Sequence, residues 1–106
     1  MSDNASRATS GWNTVYVGRK KLMMDYVLAT LTCLSRSPDV VLKARGAAIS
    51  LAVDVAEVTM HRFAPGLRVA GIKLDTEQLP SKEGGTRNVS SIEIRLTNSP
   101  EGQVES

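Results

Sequence analysis

Cysteine and histidine are almost missing from these 106 residues, which hold one of each, Cys33 and His61. A lone cysteine closes no internal disulfide and completes no cysteine-based zinc site, so a reducing, cytoplasmic setting is expected. Cys33 sits in an apolar helical pattern and reads as a small core residue. His61 has no Cys or His set to ligate metal with. Its stripe partners Asp54 and Glu57 read as solvated, which disfavours a Ser-His-Asp arrangement. No catalytic residue, metal or cofactor is therefore expected. Aromatic residues are equally sparse: Trp12, Tyr16, Tyr26 and Phe63 are scattered and make no base-stacking platform. Gly84-Gly85-Thr86 lacks the Gly-Lys-Ser/Thr step of a phosphate loop, and neither Gly18 nor Gly46 belongs to a G-x-G-x-x-G pattern. No apolar run is long enough to span a membrane, and the polar N-terminal stretch has no signal-peptide core, so no membrane partner is expected.

What is present is organised around residues 40–63. Val40-Val41-Leu42 is a short β-branched run suited to a strand covered on both faces in a parallel pair. Lys43-Ala44-Arg45-Gly46 ends it as a basic turn. From Ala47, the residues Ile49, Val53, Ala56, Met60 and Phe63 recur at helical spacing, opposite a polar stripe of Ser50, Asp54, Glu57 and His61. A second apolar row, Leu51, Val55 and Val58, exceeds the need of one buried face and suggests a partner chain.

Ahead of this segment, residues 1–11 read as a disordered tail, and Thr14-Val15-Tyr16-Val17 as a first strand ended by Gly18. Arg19-Lys20-Lys21 follows, and Met24, Val27, Leu28, Leu31 and Leu34 trace a helix stopped by Pro38. Strand, helix and strand make a βαβ unit with parallel strands. The loops after the two strands then lie at one sheet edge, where Arg19, Lys20, Lys21 and Arg45 and both helix N-termini would favour phosphate, and Lys43, clustered with Arg45, is a further binding candidate. After the Ala64-Pro65-Gly66 turn, Leu67–Leu74 reads as a strand whose alternation changes phase at Gly71, marking a bulge. Residues 77–86 read as a polar hairpin tip too long to be tight. The following strand places Ile92, Ile94 and Leu96 on one face and Arg87, Glu93 and Arg95 on the other. Lys82 and Arg87 near the tip make this arm a candidate for reaching into a groove. Residues 12–97 thus form one domain, followed by an acidic flexible tail, 98–106. The expected fold is α/β, a two-layer β-α-β-α-β-β sandwich with a four-stranded mixed sheet and two helices on one face.

Several segments together resemble the Alba family of small basic archaeal chromatin and RNA-binding proteins. They are Gly18 with its lysines, Asp25-Tyr26-Val27-Leu28-Ala29, Lys43-Ala44-Arg45-Gly46, Ala48-Ile49-Ser50, Ala52-Val53-Asp54, Arg62-Phe63 and Val89-Ser90-Ser91-Ile92-Glu93-Ile94. The resemblance implies a fold like the C-terminal domain of a bacterial translation initiation factor. It also implies a homodimer, or a heterodimer with a paralogue, that binds double-stranded DNA or RNA with little sequence preference. The family's paired lysines fall on Lys20 and Lys21, with Lys20 the acetylation candidate, its basic turn residue on Arg45, and its groove-entering arm on Lys82–Arg87. Arg62 and Phe63 would serve contacts between dimers, together with the row Leu51, Val55 and Val58. Such a protein would be associated with the chromosome.

Against this pattern, the positions after the Arg-Gly turn that are basic in many members are Ala47 and Leu51 here, and the net charge is only +2. The first expectation is an architectural chromatin protein held by phosphate contacts. The alternative is a less basic heterodimer partner that modulates packing by a basic paralogue.

Overall fold

In the computed structural model, which describes residues 13–99, the two β-branched runs around the first helix pair in parallel. Strand β1 (Thr14–Tyr16) lies beside β2 (Asp39–Arg45), with helix α1 (Met23–Leu34) between them in sequence. A 3-10 turn, Gly46–Ala48, leads into α2 (Ile49–Val58), which ends in a π-turn, Thr59–Phe63. The long hairpin of β3 (Arg68–Pro80) and β4 (Thr86–Thr97) completes a sheet of order β1-β2-β4-β3. Two helices on a four-stranded mixed sheet is the architecture read from the sequence.

Register decides which side chains meet. Val15 stands opposite Leu42, and Leu42 opposite Ile94, so Val15, Val17, Val40, Leu42, Ala44, Ile92, Ile94 and Leu96 share the face that receives both helices. The other face carries a row of Tyr16, Lys43, Glu93 and Lys73, one from each strand. Val41 is buried on that face but lies outside the main core.

Both helices keep much of the expected faces, with Val27, Leu31, Leu34, Ile49, Ala56 and Met60 in or against the core, and depart from them at particular residues. In α1 the buried residues are Tyr26, Val27, Thr30 and Cys33, while Met24 and Leu28 are exposed. Thr30 can be buried because its hydroxyl donates to the Tyr26 carbonyl at 2.8 Å. In α2 the buried line is Ala48, Ala52, Val55, Ala56 and Thr59, and Val53 and Phe63 are exposed. Small residues let a helix approach a sheet closely, so hydrophobicity alone misplaces Val53 and overlooks Ala52. Val55 has no accessible surface and belongs to the chain's own core, not to a partner-facing row. Leu51 and Val58 are partly buried against that core.

The hairpin differs from expectation in length. Glu77, Gln78 and Leu79, read as part of the hairpin tip, continue β3 to Pro80, opposite Thr86. Only Ser81–Gly85 turns, closed by a Ser81 N–H to Gly85 carbonyl bond of 3.0 Å, with Gly84 and Gly85 both at positive φ. The expected irregularity at Gly71 is present as a register shift between Val69 and Gly71. The expected tail 1–11 and residues 100–106 lie outside the described residues. Asn98 and Ser99, assigned to the C-terminal tail, are tied into the fold: the Asn98 N–H donates to the Pro38 carbonyl at 2.7 Å, and Arg68 donates to the Ser99 carbonyl at 3.3 Å.

Candidate nucleic-acid interface

The parallel pairing of β1 and β2 places the loop after Tyr16 and the turn after Arg45 at one end of the sheet. Because β4 runs antiparallel to β2, with Ser91 opposite Arg45, the hairpin leaves the sheet at that same end. From Ser91 out to Thr86 the arm continues for about 17 Å at ~3.4 Å per residue. Arg19, Lys20 and Lys21, Arg45, and the arm with Lys82 and Arg87 are therefore brought to one end, all exposed. Lys43 stands apart from them. It lies half-buried on the open sheet face, with its ammonium 3.8 Å from Glu93.

The basic loop is anchored at its root. The buried Tyr26 hydroxyl accepts the Gly18 N–H at 3.1 Å, fixing the chain just before Arg19. At the other end of the loop the Leu22 N–H donates to the Asp25 carboxylate at 3.1 Å. That carboxylate occupies the N-terminal turn of α1, so this helix start opposes an anion and the expected phosphate preference there does not hold. The start of α2 is different: Gly46-Ala47-Ala48 carries no acidic residue in its first turn. Gly46 has φ +60°, and the left-handed turn it allows lets the chain swing from an extended Arg45 into the helix.

Arg45 reaches across the open face. Its guanidinium is 2.9 Å from Glu77 of β3, although β4 lies between their strands. Below this pair is a groove of about 480 Å³, lined among others by Tyr16, Lys43, Arg45, Lys73, Glu77 and Glu93. Its charges are mixed. Lys73 and Glu77 were not singled out in the sequence, because their placement depends on the β3–β4 register.

A second surface was also missed. Ile72 pairs with Ile94 and Leu74 with Ile92, so both point to the helix side of the sheet, yet they are 58% and 73% exposed. Neither helix covers edge strand β3. Val69 beside them and Val53 of α2 are exposed as well, and Ile49 and Leu74 line a common cleft. Large apolar groups gathered at a sheet edge mark a contact surface. Phe63 and Arg62 are exposed in the π-turn.

His61 is exposed on the helix surface, 3.7 Å from Glu57. Among the described residues no group of three or more His, Cys, Asp or Glu could hold a metal ion, and no helix is long and apolar enough to cross a membrane. Burial pushes the Cys33 thiol up from its ordinary value, with Arg36 acting the other way.

The family model described as Alba matches residues 13–75. DNA/RNA-binding protein Alba from Thermoplasma acidophilum is 51% identical over 86 residues, covering 80% of this chain and 94% of that protein. DNA/RNA-binding protein Alba 1 from Archaeoglobus fulgidus is 54% identical over 85 residues, covering 79% and 93%. Among solved structures, Alba from Thermoplasma volcanium superposes with a TM-score of 0.75 at 49% identity, covering 80% of this chain and 99% of that one.

Proposed function

Since the chain belongs to the Alba family, we propose that it is an architectural, non-enzymatic chromatin protein that binds double-stranded DNA and RNA as a dimer with little sequence preference. The observation that carries this is the meeting of Arg19-Lys20-Lys21, Arg45 and the projecting arm at one sheet end. Phosphates are held by the lysines of the anchored loop and by Arg45 at the uncapped start of α2, while Lys82 and Arg87 follow the backbone along the arm. In this reading affinity comes from charge and counterion release. Relatives named for binding DNA and RNA support the same ligand class. Lys20, exposed and close to the loop's anchored root, is the candidate for acetylation, which would remove one phosphate-pairing charge. The protein would work in the cytoplasm on the chromosome. The apolar edge of β3 supplies the dimer contact, with Phe63 and Arg62 left for contacts between dimers.

A second reading is favoured by two ion pairs. Arg45 and Lys43 each face a carboxylate, Glu77 and Glu93, and Ala47 and Leu51 add no charge at the α2 start. A chain so neutralised suits the less basic half of a heterodimer with a more basic paralogue.

The test is fluorescence anisotropy with matched duplex DNA and duplex RNA across a salt series. Log affinity falls linearly with log salt, and the pair Lys20→Ala, Lys21→Ala lowers the DNA slope by about two. An affinity independent of salt refutes the phosphate mechanism. Weak binding to both duplexes, restored on mixing with a basic paralogue, selects the heterodimer.

A further inference from the structure

Glu77 contributes the shortest of the described salt bridges, and its partner is the basic residue of the turn before α2. We propose that Glu77 is a latch on Arg45, a carboxylate that competes with nucleic-acid phosphate for this guanidinium and so sets the affinity and salt dependence of the interface. The inference rests on the nucleic-acid reading above and assigns a specific tuning residue to it.

The geometry is selective. Arg45 is in register with Ser91 and, one strand further, with Asp75, which lies directly across the sheet. The guanidinium instead meets Glu77, two residues further out at the root of the arm, at 2.9 Å. To do so the two side chains together bridge two strand spacings, about 9–10 Å, passing over β4 where the small Ser91 stands. In this position Arg45 lies over the groove of the open face rather than free at the sheet end. The pair joins the turn that starts α2 to the base of the arm, two elements that both belong to the proposed interface.

The latch is reversible. The two side chains are 57% and 42% exposed, and an exposed ion pair favours its closed form by only about two- to five-fold. A phosphate arriving at the sheet end therefore displaces the carboxylate. That exchange adds no net counterion release at Arg45, since its charge was already matched. Removing the carboxylate restores one full phosphate contact.

The full chain is titrated against one duplex DNA over a salt series, as the parent and as Glu77→Gln, Glu83→Gln, Arg45→Met and Glu77→Gln with Arg45→Met, each checked for an unchanged melting transition. Glu77→Gln binds about two- to five-fold tighter at low salt and steepens the log–log slope by about 0.9. Glu83→Gln removes the same charge from the exposed arm tip and gains less, at an unchanged slope. The gain of Glu77→Gln disappears when Arg45 is Met. Should that gain persist without Arg45, or equal the gain of Glu83→Gln, Glu77 is only a repelling charge and the latch is overturned while the nucleic-acid reading stands. If parent and Glu77→Gln alike lack salt-dependent binding, the nucleic-acid reading itself fails.

Discussion

Replacing Ile72 and Leu74 together by threonine tests the seat of the proposed dimer. Threonine is β-branched and suits a strand at both positions, so β3 is preserved. Fully burying an isoleucine or leucine is worth about 1.5–3 kcal/mol. Scaled by exposures of 58% and 73%, the two side chains hold back about 2–4 kcal/mol per protomer, or about 4–8 kcal/mol across a symmetric pair. That is a ceiling, because docking covers only part of each side chain and also costs entropy. Even a quarter of it, about 1–2 kcal/mol, weakens the dimer by roughly five- to thirty-fold. Sedimentation velocity over a concentration series reads this directly: the parent sediments as a dimer, and the double variant shifts toward monomer with its far-UV spectrum unchanged. A double variant that dimerises as tightly as the parent would show that the β3 edge is not the contact and that the exposed apolar groups are covered otherwise.

Tyr26→Phe removes the acceptor of the Gly18 N–H and leaves that donor without its protein partner. It lowers stability by about 1 kcal/mol in urea unfolding and speeds amide exchange at Gly18, with weaker duplex binding as the basic loop loses its anchor. Unchanged exchange at Gly18 would remove the anchoring role. Thr59→Val acts in the opposite direction. The Thr59 hydroxyl is fully buried with no hydrogen-bond partner, so the near-isosteric apolar side chain stabilises by about 1 kcal/mol; a loss of stability on urea unfolding would contradict that account.

The order of elements and the convergence of the basic loops were legible along the chain, because both follow from local pattern and the chirality of βαβ units. Thr14-Val15-Tyr16 and Val40-Val41-Leu42 are β-branched, Pro38 stops α1, and parallel pairing then puts Lys20, Lys21 and Arg45 at one end whatever the packing details. The sequence by itself also marked the irregularity at Gly71, through the phase change between Val69 and Ile72. Tertiary structure decided the rest. It chose Ala52 over Val53 for the buried line of α2, since closeness of approach outweighs the size of one side chain. It extended β3 through Thr76-Glu77-Gln78, because an arm projecting past the core needs backbone pairing but no apolar alternation. The strand order β1-β2-β4-β3 left Ile72 and Leu74 exposed on an edge strand. It also set Glu77 within reach of Arg45, 32 residues away in the chain. Such pairings depend on which strands are neighbours and in what register, information that no local run of residues carries.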